Sequence, residues 1–302
     1  MTSRKILFYL MSEKGFSVLN FLITSKFKNN ISKVIIGKDN NVINDYSKEI
    51  EKTCVENNIY FLYRTQKNSI IEDYSIAISW RWLIPENKSK LIILHDSLLP
   101  RYRGFAPLVN ALINGDMEVG VSAIFANNEF DKGDVISQSK SKINYPIKIK
   151  DAIKLISQNY NELIDLLVTK INSGESIKGT KQNENNASYS LWRDEEDYLI
   201  NWELPANEIV NFINSLSYPY KGASSYLNGD SKVRILDAEV FDENVTFESK
   251  NNFGKVLFLK DSCPVVVCNT SLIKLKSIFS DDSLSNLLPF NKLRIRFSKE
   301  KY

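Results

Sequence analysis

The stretch from Leu91 to Gln138 constrains this chain more than any other. It opens as a short apolar strand, Leu91 to Leu94, that delivers His95 at its end, and His95 is the only histidine in 302 residues. A proline-punctuated polar loop follows, Asp96-Ser97-Leu98-Leu99-Pro100-Arg101-Tyr102-Arg103-Gly104, and then a helical pattern from Ala106 to Asn114. A second strand, Val119 to Ala126, runs into Asn127-Asn128-Glu129-Phe130-Asp131-Lys132-Gly133-Asp134, and a third leaves at Val135. Two strand ends thus carry one imidazole and one carboxylate, each on a loop. In open α/β sheets, ligands bind in the crevice beyond the carboxyl ends of the strands. The chemistry is expected there.

The segments upstream repeat one theme. Apolar runs at Lys5–Met11, Val34–Gly37, Ile59–Tyr63 and Tyr74–Ser79 read as buried strands, with helical patterns at Phe16–Ile23 and Ser47–Asn57 between them. Strands alternating with helices predict βαβ units and a doubly wound, mainly parallel sheet. The longest helical pattern, Ile149 to Ile171, places Ile149, Ile153, Ile156, Tyr160, Leu163, Leu167 and Ile171 on one face and stops before Gly174.

From Ser173 to Ser188 the composition turns polar, which reads as a linker. Beyond it lies a helix, Pro205 to Leu216, and then short strands at 223–227, 233–240, 255–259, 265–268 and 272–278, separated by Gly, Asn and Asp. That pattern predicts a small β-barrel or sandwich. The expected division is a domain over 1–175, a linker over 176–189 and a second domain over 190–302. The last segment, Lys292 to Phe297, alternates basic and apolar residues as a final strand with one solvated face would.

Charge and cysteine usage exclude several classes. Net charge is only +3, which argues against a strongly basic nucleic-acid surface. No run of 18 apolar residues exists, and the first residues lack the features of a signal peptide, so a cytoplasmic protein without a membrane span is expected. Three cysteines, Cys54, Cys263 and Cys268, suit a reducing compartment. In an extended strand the last two would stand roughly 16 Å apart, too far to bridge. With one histidine in the chain, no metal site is expected.

Two blocks, HDSLLPRYRGFAPLVNALING and GVSAIFANNEFDKGDVISQ, resemble the signature of the folate-dependent formyltransferases. The second half is similar as well: INWELPANEIVNFINSLSYPYKGASSYLNG and KVRILDAE look like the OB-like C-terminal domain of the two-domain members. The resemblance implies a Rossmann-like catalytic domain followed by a smaller OB-like β domain. It also implies 10-formyltetrahydrofolate as formyl donor. On the family pattern His95 and Asp131 are the catalytic pair, and SWRWLIP occupies the place of the loop that embraces the pterin. Cofactor contacts are therefore expected from Trp80, Arg81, Trp82, Leu83, Ile84, Asn127, Asp131 and Asp134, the last as a brace for its loop.

Formyl transfer to an amine needs a base for the amine proton, a partner for the oxyanion and an acid for the leaving nitrogen. A histidine titrates near neutral pH and can serve all three, and a nearby carboxylate can orient it and stabilise its charged form. One residue departs from the family. The pattern is Asn-x-His, with the amide donating to the oxyanion, but here Ile93 stands at the Asn position. Losing one such donor costs on the order of 10² to 10³ in rate. Asn110, Asn127 and Asn128 are the candidate substitutes, together with a backbone amide near Leu99.

The acceptor is open between two enzyme classes. Residues 190–302 hold 14 Lys and Arg against 16 Asp and Glu, a net of −2, and the segment GKDNNVINDYSKE lacks the basic insertion that the tRNA-modifying members carry there. Both features point away from nucleic acid and toward a nucleotide-linked amino sugar. Lys14, Ser97, Arg101, Tyr102, Arg103 and Gly104 would bind that substrate, with Trp192, Tyr218 and Tyr220 from the second domain. SWRWLIP, RYRGFAPLVNALING and SLWRDEEDY also resemble the sugar N-formyltransferases, which implies a dTDP-linked 3- or 4-amino sugar as acceptor, a product used in O-antigen biosynthesis, and a homodimer. The alternatives are a methionyl-tRNA formyltransferase and a catalytically weakened folate- or nucleotide-sugar-binding homologue.

Overall fold

The computed structural model describes residues 3–84, 89–243, 245–269 and 271–301. The chain forms two compact units. One comprises Met1–Leu108, Met117–Ile143 and Ala152–Leu191, the other Val109–Asp116, Asn144–Asp151 and Trp192–Tyr302.

The first unit is built on β1 (Ile6–Leu10), α1 (Ser12–Thr24), β2 (Ile31–Ile36), α2 (Ser47–Glu56), β3 (Phe61–Tyr63), β4 (Tyr74–Ile78) and β5 (Lys90–His95). These are followed along the chain by β6 (Arg103–Gly104), α3 (Pro107–Ile113, in the second unit from Val109 on), β7 (Glu118–Phe125), β8 (Val135–Lys142), α4 (Ile149–Ser173, in the first unit from Ala152 on) and β9 (Tyr189–Ser190). Seven strands pair in the order β3-β2-β1-β4-β5-β7-β8. The first five are parallel, and β7 and β8 are antiparallel. Parallel strands covered on both faces need side chains that tolerate burial all round. Ile6, Leu7, Phe8 and Leu10 of β1 are accordingly fully buried. On α4 all seven apolar positions of the predicted face are buried, and the helix stops as predicted at Gly174, whose φ of 76° is the left-handed conformation that ends helices.

Helix α1 and the last strand depart furthest from the sequence expectation. Helix α1 starts at Ser12, four residues before Phe16, because Ser12 takes a φ of 64° and turns the chain straight out of β1. The expected last strand shrinks to β15 (Phe297–Ser298), paired with Tyr226 and Leu227. Pairing goes no further because Asn228 begins a turn there: its Oδ1 accepts the Arg296 amide at 2.9 Å, and its own amide donates to the Arg296 carbonyl at 2.7 Å.

The second unit carries α5 (Ala206–Ser215) and the strands β10 (Ala223–Leu227), β11 (Ser231–Phe241), β12 (Val256–Lys260), β13 (Cys263–Val267) and β14 (Leu272–Ser280). With β15 they form one antiparallel sheet in the order β12-β13-β14-β11-β10-β15. Helix α5 buries Ala206, Ile209, Val210 and Ile213 and packs on β11 and β14. The fold is thus a doubly wound sheet domain and an antiparallel β domain, as the sequence predicts. Among the described residues no helix is long and apolar enough to cross a membrane.

The polar segment after α4 is bound to the first unit. Thr180 bridges Val135, and β9 pairs with β6 in parallel, Arg103 opposite Tyr189 and Gly104 opposite Ser190.

Candidate active site

In the strand order, β2 lies to one side of β1 and β4 to the other, so the winding reverses between β1 and β4. A crevice opens at such a reversal. The Ser12 and Ser79 hydroxyls meet there at 3.0 Å, both on residues with left-handed φ. One strand further on, β5 ends at His95.

Side chains alternate along a strand, so Leu91, Ile93 and His95 share a face. Leu91 and Ile93 pack against Leu7, Tyr9, Ile35 and Ala77. At the position where an amide donor is expected, isoleucine extends this apolar wall up to the imidazole.

The imidazole is buried, 8% exposed. Its Nε2 lies 2.8 Å from the Tyr102 carbonyl oxygen. A carbonyl only accepts, so Nε2 carries the proton. In the neutral ring the lone pair therefore sits on Nδ1, which faces Asp131 Oδ1 at 3.6 Å. The other carboxylate oxygen accepts the Gly104 amide at 2.8 Å. Gly104 has a φ of 99°, and a Cβ there would stand 2.6 Å from the Ser190 carbonyl, so only glycine lets this amide reach the carboxylate. The arrangement provides a proton acceptor with a carboxylate beside it to stabilise the cation that forms.

The loop that carries Tyr102 is fixed from below. Ser122 sits opposite His95 across β5 and β7 and is fully buried. Its hydroxyl accepts the Leu99 amide at 3.0 Å and Gln138 Nε2 at 2.7 Å, and donates to the Ser97 carbonyl at 2.6 Å. Gln138 Nε2 also donates to the Leu99 carbonyl at 2.9 Å. Ser122→Ala strips partners from this buried loop, and a stability loss of about 1–3 kcal/mol is expected. Urea unfolding with an unchanged m-value would measure it; a midpoint equal to wild type would count against this reading of the loop.

Several charged residues expected at the substrate are instead part of the scaffold. Lys14 is buried, and its ammonium pairs with the Asp96 carboxylate, which also accepts the Tyr160 hydroxyl. Burial and the Asp96 charge push the Tyr160 hydroxyl well above the usual tyrosine range, so it stays a donor. Arg103 is fully buried and spends all five of its N–H groups on Gln182, Glu184 and Tyr189. The hydrogen bond to Glu184 raises its proton affinity further. Neither cation is available to a phosphate. Ser97 is buried, its hydroxyl on the Arg101 carbonyl, and Tyr102 is 8% exposed. Arg101 remains exposed, with Nη2 donating to the Tyr102 hydroxyl at 3.1 Å.

The Trp80–Ile84 loop forms an aromatic wall at the ends of β2 and β4. Trp80 meets Tyr9 edge-on at 5.1 Å, and Trp82 meets Trp80 edge-on at 5.1 Å. Both indoles lie against Gly37, where a Cβ would be 2.7 Å from Trp82. Arg81 lies 5.0 Å from the Trp82 ring and pairs with Asp39 at 2.9 Å. Ile84 packs on the apolar wall, Leu83 is exposed, and Trp80 Nε1 is buried with no partner among the described residues. Pro85, the end of this loop, lies outside the described residues.

The oxyanion candidates are dispersed. Asn127 is exposed and uses its Oδ1 to hold the Glu129 amide at 3.0 Å, and Asn128 is exposed. In the second unit, Asn110 Oδ1 accepts from Arg193 at 2.6 Å. Trp192 and Tyr218 are exposed in that unit and Tyr220 half-buried. The Asp134 carbonyl accepts the Phe125 amide at 3.1 Å and so closes its loop. Among the described residues no cluster of His, Cys, Asp and Glu could hold a metal.

Gln182, Ser122 and Gln138 carry no signal in the sequence, and Tyr160 reads there as core alone. Only Tyr160 carried a signal, as a tyrosine on an otherwise aliphatic face of α4.

Two family models match the chain: formyl transferase over residues 70–162, and formyl transferase, C-terminal domain, over residues 193–283. The chain is 34% identical over 173 residues to the methionyl-tRNA formyltransferase of Syntrophomonas wolfei, covering 56% of this chain and 54% of that protein. It is 30% identical over 211 residues to that of Fusobacterium nucleatum, covering 64% and 66%. The aligned region thus spans between half and two thirds of these relatives. The crystal structure of an N-formyltransferase from Helicobacter canadensis, with folinic acid and dTDP-3-aminofucose, superposes with a TM-score of 0.67 at 16% identity, covering 90% of this chain and 99% of that one. At that identity the likeness concerns the fold alone.

The expected acceptor, a nucleotide-linked amino sugar, is overturned by the curated relatives, which are named methionyl-tRNA formyltransferases. A net of −2 over a domain is a sum, whereas phosphate contacts depend on where single cations stand.

Proposed function

This chain belongs to the formyl transferase family in its two-domain form, and on that premise we propose that it transfers a formyl group from 10-formyltetrahydrofolate to the α-amino group of methionyl-tRNA. The observation that carries the reaction is the single lone pair of His95, on Nδ1, facing the Asp131 carboxylate at 3.6 Å. The acceptor is supported by the curated relatives, and the exclusion of nucleic acid as a partner is withdrawn with the sugar.

The residues present fit the donor. Trp80, Trp82, Leu83 and Ile84 would hold a flat heterocycle, and the orphaned Trp80 Nε1 offers a donor to its polar edge. When bound, the reduced folate supplies the formyl carbon. His95 Nδ1 takes the proton that the attacking amine must lose, so that the nitrogen completes its new bond neutral. Asp131 stabilises the imidazolium while it holds that proton. His95 then returns the proton to the nitrogen that leaves, and the ring ends neutral as it began. Burial of the imidazole keeps bulk water from competing for the same proton.

The test offers purified protein the donor and methionyl-tRNA, with a dTDP-linked amino sugar in parallel, and detects each product by mass. N-formylmethionine after ester hydrolysis is the expected product. A formylated sugar with unmodified methionyl-tRNA would overturn the acceptor.

A further inference from the structure

The Gln182 side chain lies between Arg103 and the loop that carries Asp131. Its Nε2 donates to the Asp131 carbonyl at 2.7 Å and to the Gly133 carbonyl at 2.8 Å. Its Oε1 accepts from Arg103 Nε at 3.1 Å and Nη2 at 2.9 Å. The orientation of the amide follows from its neighbours, because two carbonyls require the NH₂ and a guanidinium requires the oxygen.

These contacts close a ring. Asp131 is tied through its side chain to the Gly104 amide and through its backbone to Gln182. Gly104 is covalently joined to Arg103, and Arg103 holds Gln182. Glu184 fixes the far side of the guanidinium through Nη1 at 2.9 Å and Nη2 at 2.7 Å. The ring also accounts for a local cost. Asp131 has a φ of 55°, a left-handed conformation that a residue with a side chain keeps only where its surroundings over-determine it.

We infer that Gln182 is a positioning residue for formyl transfer, and that the 182–190 segment is a strap whose seating sets the approach of the Asp131 carboxylate to His95. The inference rests on the proposed formyl-transfer roles of those two residues. It gives the polar stretch between the two matched family regions a part in the reaction, through its contact with the carboxylate's own loop.

Two substitutions separate positioning from support of the fold. Gln182→Glu keeps an oxygen for Arg103 but replaces the donors with a second oxygen facing two carbonyls. Gln182→Met removes both ends at similar volume. For both, kcat is expected to fall about 10²-fold, the cost of misplacing a reacting group by about 1 Å, with KM for the folate donor within about threefold and the thermal midpoint of the Glu variant near wild type. A residue that only supported Arg103 would leave the Glu variant at wild-type kcat.

A second readout needs no substrate. His95 is the only histidine, so in tag-free protein one imidazole appears by NMR. In Gln182→Met its ring resonances at fixed pH are expected to shift, as in Asp131→Asn, because moving the Asp131 carboxylate and neutralising it both change the field at the ring. A wild type that formylates no acceptor while this response persists supports the positioning role and removes the formyl-transfer reading. An active wild type whose kcat and imidazole resonances ignore both substitutions overturns the positioning role.

Discussion

His95→Ala is expected to lower kcat for formyl transfer by about 10²–10⁴-fold, the usual contribution of a positioned acid–base group, and to leave folate affinity within a few-fold of wild type. No second imidazole exists in the chain to take over. The neighbouring carboxylates are committed, Asp96 to Lys14 and Tyr160, and Asp131 to the Gly104 amide. The fold is expected to survive, because the Tyr102 carbonyl released by the substitution keeps the Ser190 hydroxyl, at 3.4 Å, as a donor. Single-turnover kinetics with saturating donor, alongside circular dichroism, would test this. Retention of more than a tenth of wild-type kcat in a folded variant would count against His95 as the proton carrier.

Gly133→Ala should have the second largest effect, and by a different route. A Cβ at position 133 would fall 1.6 Å from the Phe125 carbonyl oxygen and 2.8 Å from its carbon. Both atoms are backbone of β7, so no rotamer relieves the clash and the loop must lift. Lifting it breaks the bond from the Phe125 amide to the Asp134 carbonyl and pulls Asp131 and Gly133 away from Gln182. The expected cost is about 1–3 kcal/mol in stability, the range for an overpacked site. A fall of about 10²-fold in kcat should accompany it as the carboxylate is displaced. Denaturant midpoints and kcat would be measured together; an alanine variant with wild-type kcat would show that the loop does not set the position of Asp131.

These two residues also show which features the sequence carries openly. His95 was legible because an apolar strand delivers it to the end of a parallel sheet, where the topology opens a crevice. The glycine of Asp131-Lys132-Gly133-Asp134 was legible as a motif, but its reason, the proximity of Phe125, exists only once β7 has folded. The core helix α4 was legible in full, since its period is local.

What escaped the sequence depends on partners far along the chain. Lysine and arginine read as surface residues because burying a lone charge is costly, yet Lys14 and Arg103 are buried. Their counter-charges, Asp96 and Glu184, lie about 80 positions away and cannot be paired with them by spacing. The polar composition of residues 173–188 reads as a linker for the same reason. Gln182 and Glu184 look solvated until Arg103 and the Asp131 loop stand beside them. Ile93 departs from the family pattern in the sequence, and in the structure it continues the apolar wall formed by Tyr9, Ile35 and Ala77.

On the proposed mechanism, the His95–Asp131 pair moves the proton that lets a formyl group pass from folate to an amine. A donor labelled with ¹³C in the formyl carbon, mixed with methionyl-tRNA and followed by NMR, reports that transfer directly. Wild type is expected to carry the label onto the methionyl nitrogen, and His95→Ala and Asp131→Asn are each expected to leave it on the donor over the same time. Transfer at wild-type rate in both variants, or release of the label from wild type only as formate, would contradict it.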